Sequence, residues 1–260
     1  MTRPANRLLT MARVIAALML REMITRYGQS RAGYVWAVVE PAAFIGLLSL
    51  LFSQLAQQPP LGKSFPLFYA SGYIAFHWVH EISNICARSV HVNRPLLAFP
   101  AVRPVDTILA RFLLQTLTGL VIGVLILTAI LAVFAERVVI SPAPLLIAWT
   151  LAALMALGIG LVNCWLFALS KSWEVIWGVI SRPVFLISCV FFTFDSLPTF
   201  AREALWWNPI VHVVGLVRQG LYPTYHGGHV SLEYLLVITV GLIFIGLSAM
   251  RLAAARLVSP

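Results

Sequence analysis

The chain has 260 residues, of which 60% are hydrophobic and only 10% are charged. A soluble domain of this size needs far more polar surface, so the composition excludes a soluble globular protein and indicates a polytopic membrane protein. The formal net charge of +9 does not indicate a nucleic-acid partner, because the basic residues are dispersed between apolar runs and form no patch interleaved with aromatic side chains.

Residues 1–32 carry six arginines against a single acid, Glu22. The apolar residues among them are too few to cross a bilayer. The pattern favours an amphipathic helix along the cytoplasmic membrane surface; a plain basic flank of the first span is the alternative. We expect no cleavable signal peptide, because the apolar stretch 14–20 is short and is followed by Arg21 and Arg26.

Six apolar runs have the length of membrane spans, at residues 33–54, 67–89, 107–134, 144–169, 175–194 and 232–250. Thirteen of the 18 basic residues fall in segments that this arrangement places in the cytoplasm. The positive-inside rule then puts both termini there. The sequence predicts an all-α polytopic membrane protein with six transmembrane helices.

The stretch 194–223 lies between the last two runs and reads FDSLPTFAREALWWNPIVHVVGLVRQGLYP. Pro198, Pro209 and Pro223 divide it into pieces of about 10 residues, half of what a spanning helix needs. Asn208 and Pro209 predict an N-cap and a first helical residue. We expect a re-entrant periplasmic hairpin of two short helices before the last span.

The end of the second short helix is predicted at Arg218 and Gly220, as a last turn followed by a left-handed stop. Charged side chains in the hairpin are expected to face protein or water, while Trp206 and Trp207 suit the membrane–water boundary.

The cytoplasmic loop at residues 90–106 contains three prolines with Arg94 and Arg103. It has room for one short helix at most and is longer than a bare turn, so we expect it to bind another protein. No repeat is evident, and the chain is predicted to be a single domain: an interface helix (1–32), five spans (33–194), the periplasmic re-entrant helices (195–231), and a last span with its cytoplasmic tail (232–260).

No phosphate-binding loop is present, and the three cysteines have no ligand-like spacing, so they are expected to be packing residues. His77, His80 and Glu81 are predicted to share one helix face, but their order is not that of a zinc helix, and we expect no metal. Glu40 and Arg182 each precede a proline that is expected to break its span. Such intramembrane charges belong either to a kink contact or to a transport path.

Three stretches together carry a resemblance: LREMITRYGQSRAGYVWAVVEP at 20–41, RPLLAFPAVRPVDTILARFLL at 94–114, and SRPVFLISCVFFTFDSLPTFAREALWWNPIVHVVGLVRQGLY at 181–222. The sequence resembles the permease subunit of type 2 ABC exporters, specifically the KpsM/Wzm-like polysaccharide exporters, and within them the capsular polysaccharide branch. The resemblance covers nearly the whole chain in the order of the family.

The resemblance implies a non-catalytic subunit of the bacterial inner membrane that exports lipid-linked capsular polysaccharide. Two copies would form the channel, and two ABC ATPase subunits would bind ATP and Mg on the cytoplasmic face, with no cofactor in this chain. A periplasmic polysaccharide co-polymerase or adaptor and an outer-membrane export protein are the further partners implied.

The resemblance also assigns roles to residues. The expected ATPase-coupling residues are Arg21, Glu22, Arg26, Arg88, Arg94 and Arg103. The expected channel and cytoplasmic-mouth residues are Tyr27, Arg31, Tyr34, Trp36, Glu40, Tyr73, His77, His80 and Arg182. The expected periplasmic gate is Trp206, Trp207, Asn208 and Arg218.

Three alternatives remain open at this point. Within the class, the cargo is O-antigen or teichoic acid. From another class, the chain is an integral membrane enzyme acting on lipid-linked substrates, although its nine acidic residues are scattered and form no cluster that would hold a metal with a diphosphate. A small ion-coupled carrier is the third, but no inverted repeat is detectable.

Overall fold

The computed structural model describes residues 4–27, 33–99, 102–134 and 138–252. The secondary structure of these ranges is all helical, which confirms the predicted class. The α-helices are α1 (Pro4–Tyr27), α2 (Gly33–Leu55), α3 (Phe65–Ala87), α4 (Ser89–Val92), α5 (Pro104–Val133), α6 (Pro142–Leu169), α7 (Lys171–Leu186), α8 (Thr199–Trp206), α9 (Pro209–Leu221) and α10 (Leu232–Leu252), with 3-10 turns at Arg94–Ala98 and Phe194–Ser196.

A helix occupies each of the six predicted runs, and four of them, α2, α5, α6 and α10, are long and apolar enough to cross a membrane. The helix α3 has 23 residues but carries polar side chains, and α7 has only 16. The predicted bounds of the fifth run were therefore wrong, because the helix begins earlier and ends at Leu186. The count of six spans stays a prediction.

The expectation that two prolines break their spans was also wrong. Helix α2 continues through Pro41, and α7 continues through Pro183 before it ends. A proline removes one backbone hydrogen bond, and transmembrane helices tolerate this where local adjustments satisfy the freed carbonyl.

The core of the molecule is α6, which packs against α3, α9 and α10. Glycine allows the backbones to approach closely, as is usual between membrane helices. A Cβ on Gly246 of α10 would lie 2.5 Å from the Cβ of Leu161 in α6, and one on Gly160 of α6 would lie 2.4 Å from the Cβ of Cys86 in α3. All three cysteines are buried and unpaired, which agrees with the predicted packing role.

Loops from distant parts of the chain meet at one end of this bundle. Gly62, between α2 and α3, has a φ of +78°, and a Cβ there would lie 2.5 Å from a ring carbon of Tyr222. The N–H of Ser141, just before α6, donates to the carbonyl of Gly220 at 2.9 Å. These segments are all predicted to lie outside the cytoplasm, so their grouping agrees with the predicted topology without fixing which side they face.

The two short helices predicted in the hairpin are present as α8 and α9. Asn208 caps α9 as predicted, since its side-chain oxygen accepts from the N–H of Ile210 at 3.0 Å, and Pro209 is the first helical residue. The predicted stop at Gly220 was wrong, because the helix continues to Leu221. Gly220 instead provides space, since a Cβ there would lie 2.4 Å from Leu145 of α6.

The segment between α3 and α5 holds two short helical elements, α4 and the turn at Arg94–Ala98, where at most one was predicted. Two of its prolines, Pro95 and Pro104, begin helices rather than prevent them. Pro95 stands at the start of the 3-10 turn, and Pro104 is the first residue of α5. The carboxylate of Asp106 accepts the backbone N–H of Arg103 at 3.1 Å and caps α5.

Candidate functional site

A cavity of about 400 Å³ lies between α3 and α7. We call it the α3–α7 cavity. It is lined by Phe76, His80 and Asn84 from α3, by the C-cap residue Arg88, and by Glu174, Trp177, Gly178, Ser181, Arg182 and Phe185 from α7. The first four of these residues are spaced four apart, which places them on one face of α3 and its C-cap.

A chain of hydrogen bonds fixes the polar wall of this cavity. The indole N–H of Trp177 donates to the amide oxygen of Asn84 at 2.9 Å. The amide nitrogen of Asn84 then donates to Nε2 of His80, also at 2.9 Å. The amide oxygen and the amide nitrogen of Asn84 each form a hydrogen bond, so one orientation of Trp177, Asn84 and His80 is favoured.

The charges of the cavity do not cancel. Arg88 pairs with Glu174 at 2.9 Å, with both side chains about half exposed. An exposed pair of this kind contributes about 1 kcal/mol or less to stability. Arg182 is exposed and makes no ion pair with any described residue. The cavity therefore presents one cation that no described carboxylate compensates.

The predicted face shared by His77, His80 and Glu81 was wrong in detail. His77 and Glu81 line a second, much smaller cavity between α2, α3 and α5, together with Gln115. His80 faces the α3–α7 cavity instead, because it lies about 60° to one side of His77 around the helix while Glu81 lies about 40° to the other side.

Other predicted channel residues are dispersed. The ring of Tyr73 stacks on His77 with centroids 5.2 Å apart. Trp36 and Glu40 are exposed on α2 and line neither cavity. The side chains of Arg26, Tyr27, Arg31 and Tyr34 lie outside the described residues.

A partly buried polar network joins α1 to the segment after α3. Glu22 is 7% exposed, and its carboxylate lies 2.6 Å from the guanidinium of Arg111 in α5. Arg21 donates to the side-chain oxygen of Asn93, whose amide nitrogen donates to the carbonyl of Ser89 at 2.9 Å. We call Arg21, Glu22, Asn93 and Arg111 the Glu22 network.

Sequence reasoning missed Asn93 and Arg111. From the sequence Arg111 was only a charge that orients the chain, whereas the structure shows its side chain, 11% exposed, paired with a carboxylate. Arg94 and Arg103 are exposed on the same segment, and their contact with an ATPase stays a prediction.

Arg218 is only 1% exposed and holds the segment that follows α7. Its guanidinium donates to the carbonyls of Phe192 at 2.9 Å and Val190 at 3.2 Å, and lies 4.4 Å from the centroid of the Phe68 ring. The same segment contains Cys189, which has a φ of +56°. A guanidinium forks readily to two acceptors, so Arg218 stabilises this irregular backbone from inside the protein.

The remaining predicted gate residues lie close by. Asn208 donates to the carbonyl of Ile187 at 3.2 Å, and the indole of Trp206 donates to the carbonyl of His229, also at 3.2 Å. Trp207 is 68% exposed. The structure therefore brings Asn208 and Arg218 together around the segment after α7, while Trp207 faces outward.

Two histidines of this region were not singled out from the sequence. Nδ1 of the buried His212 accepts the N–H of Ser231 at 3.1 Å, so Nε2 carries the proton and donates to the carbonyl of Trp206 at 2.7 Å. His229, in the loop before α10, stacks on Phe194 with centroids 4.1 Å apart. Burial, reinforced by His212, lowers the pKa of His229 to about 4. No three His, Cys, Asp or Glu side chains of the described ranges form a metal site.

Comparison with known proteins agrees with the resemblance. A family model described as ABC-2 type transporter matches residues 13–222. The polysialic acid transport protein KpsM of Escherichia coli is 33% identical over 91% of this chain and 92% of its own length. The capsule polysaccharide export inner-membrane proteins BexB of Haemophilus influenzae and CtrC of Neisseria meningitidis serogroup A are each 30% identical, over 90% and 93% of this chain and 89% and 91% of their own lengths. The chain therefore belongs to the ABC-2 type transporter family.

Proposed function

We propose that this chain is the permease subunit of an ATP-driven exporter that carries capsular polysaccharide across the bacterial inner membrane. The observation that carries the proposal is the match, over about nine-tenths of the chain, to two capsule polysaccharide export proteins and a polysialic acid transport protein. The chain is not itself an enzyme, and a separate ABC ATPase supplies the energy.

A hydroxyl-rich polymer cannot cross hydrocarbon, so it needs a conduit lined by polar groups. The α3–α7 cavity offers such groups in His80, Asn84 and Arg182, beside the aromatic side chains of Phe76 and Trp177. In the proposed exporter two copies of the chain stand side by side, and their cavities form the walls of one channel for a lipid-linked glycan.

The ATPase binds the exposed loop around Arg94 and Arg103. The Glu22 network then transmits the displacement of that loop to α1 and α5. Outside the membrane, the hairpin α8–α9 closes the channel, and a periplasmic co-polymerase or adaptor and an outer-membrane export protein receive the polymer.

In the proposed topology the chain has six spans, and the α8–α9 hairpin lies on the periplasmic side. Lys171 and Glu203 are both exposed, at the start of α7 and in α8. We expect Glu203→Cys to react with a membrane-impermeant maleimide in spheroplasts, and Lys171→Cys to react only after permeabilisation. The wild-type chain, whose cysteines are buried, is the control. Labelling in the opposite order would invert the topology.

The function is tested by deleting the gene in its own organism and locating the surface glycans by fractionation and staining. We expect full-length capsule glycan inside the cell and a bare surface, restored by the wild-type gene on a plasmid. Loss of O-antigen or teichoic acid with an intact capsule would reassign the cargo. Normal surface glycans, with no redundant exporter present, would contradict an export function.

A further inference from the structure

The α3–α7 cavity has the features of a ligand site as well as those of a passage wall. Its volume of about 400 Å³ falls within the range of about 300–1,000 Å³ that is usual for ligand pockets. We propose that it binds an anionic sugar residue, and that Arg182 is the ligand of the anionic group. The inference rests on the proposed export function and adds the cavity and the residue that would hold a charged group of the cargo.

The first step of the argument is the distribution of charge. Among the described residues, three ionised side chains line the cavity: Arg88, Glu174 and Arg182. The first two pair with each other at 2.9 Å, so no carboxylate of the described ranges compensates the guanidinium of Arg182. Guanidinium groups bind carboxylates and phosphates through two parallel N–H bonds, and these bonds are stronger than those between neutral groups.

The second step is the arrangement of the other lining groups. Phe76 and Phe185 lie with ring centroids 5.0 Å apart, and Trp177 is held in place by its bond to Asn84. Aromatic side chains pack against the apolar faces of pyranose rings. The cavity therefore combines an aromatic surface for the sugar ring with one cation for its charged substituent.

The third step is the open space beside Arg182. A Cβ added at Gly178 meets no heavy atom within 4 Å. Alanine fits there without strain, whereas the longer side chain of leucine extends into space that a bound sugar would use. Gly178→Leu and Gly178→Ala thus form a matched pair that tests occupancy of the cavity without touching a charge.

The anionic group has two possible sources, an acidic sugar of the repeating unit or the phosphate that joins a glycan to its lipid. Both are tested on the permease–ATPase complex in nanodiscs. The first probe is an end-labelled internal oligosaccharide cut from the surface polysaccharide of the source strain, before and after reduction of its carboxyl groups. The second is the lipid-terminal fragment of the same polymer, before and after removal of phosphate.

We expect Arg182→Gln to weaken binding of one of the two anionic probes about ten- to a hundredfold, the effect of losing hydrogen bonds to a charged group. Arg182→Lys should lose less. Gly178→Leu should weaken binding of the same probe more than Gly178→Ala does, because only the leucine side chain fills the space of a bound sugar. Neutralising the probe should abolish the difference between wild type and Arg182→Gln.

If Arg182→Gln weakens binding of the internal oligosaccharide, the site recognises an acidic sugar of the repeating unit. If it weakens binding of the lipid-terminal fragment alone, the site recognises the linking phosphate. Equal affinity of wild type and Arg182→Gln for both probes would overturn the proposal. If the deletion strain still fails to export capsule in that case, the export function stands and only the binding site is wrong. Normal export by the deletion strain would refute the function itself.

Discussion

The contact between α6 and α10 is predicted to fail when a single methyl group is added at Gly246. A Cβ there would lie 2.5 Å from the Cβ of Leu161 and 3.1 Å from the backbone nitrogen of Val162. Carbon atoms prefer about 3.5–4.0 Å, so the two helices would have to separate by about 1 Å. Overpacking of this kind costs about 1–3 kcal/mol, and the better helix propensity of alanine offsets about 1 kcal/mol at most.

A net loss of about 1–2 kcal/mol lowers the Tm of a chain of this size by about 2–8 °C. Gly241→Ala is the matched control, because it lies on the same helix and a Cβ there meets nothing within 4 Å. We expect its Tm to equal or slightly exceed that of the wild type. The assay is thermal unfolding of the three proteins in the same detergent, followed by size-exclusion chromatography. A Tm for Gly246→Ala at or above that of Gly241→Ala would refute the close approach of the helices.

Three further changes test the polar contacts. Glu22→Gln leaves the nearly buried Arg111 without its carboxylate and should lower the free energy of unfolding by about 3–5 kcal/mol. Most of the lost Tm should return when Arg111→Met is added. A wild-type Tm for Glu22→Gln alone would contradict the network. Arg218→Met removes the hydrogen-bond donors of the carbonyls of Val190 and Phe192. The segment after α7 should then exchange its amide hydrogens faster, as measured by mass spectrometry. Unchanged exchange there would show that Arg218 does not stabilise this segment. The pKa of His229 falls to about 4 in the folded protein from 6.5, so its contribution to stability is present above about pH 6.5 and is lost as the pH falls toward 4. His229→Gln should flatten the pH dependence of Tm over this interval, whereas the exposed control His226→Gln should keep it; superimposable profiles would argue against titration of His229.

The hairpin shows how far local sequence rules extend. Pro198 and Pro209 fix where α8 and α9 begin, and the Asn208 side chain caps α9 because that bond depends only on its neighbours. The end of α9 could not be predicted in this way. Gly220 looks like a helix stop from its neighbours alone, but it is held in the helix by close packing on Leu145, 75 residues earlier in the chain.

The candidate site likewise has a part that local sequence predicts and a part that depends on contacts between distant residues. The spacing of His80, Asn84 and Arg88, four residues apart along α3 and its C-cap, is visible in the sequence. Which helix covers that face was not predictable, since it depends on contacts such as that between Asn84 and Trp177, 93 residues apart. Arg182 was predicted as a polar residue of the path. That no described carboxylate pairs with it is visible only in the structure, where Glu174 pairs with Arg88 instead.

One short segment, Arg88 to Asn93, connects the α3–α7 cavity with the Glu22 network. Arg88 forms the ion pair at the edge of the α3–α7 cavity, and Asn93, five residues later, receives the side chain of Arg21 from the interface helix. Between these two residues, the carbonyl of Ser89 accepts a hydrogen bond from the side chain of Asn93. The segment is therefore held by a bond within itself as well as by its bond to α1. If the ATPase binds this segment as proposed, a force applied there acts on α1 and on the edge of the cavity together. Because the pair formed by Arg88 is exposed and weak, it is the contact expected to open first when the segment moves.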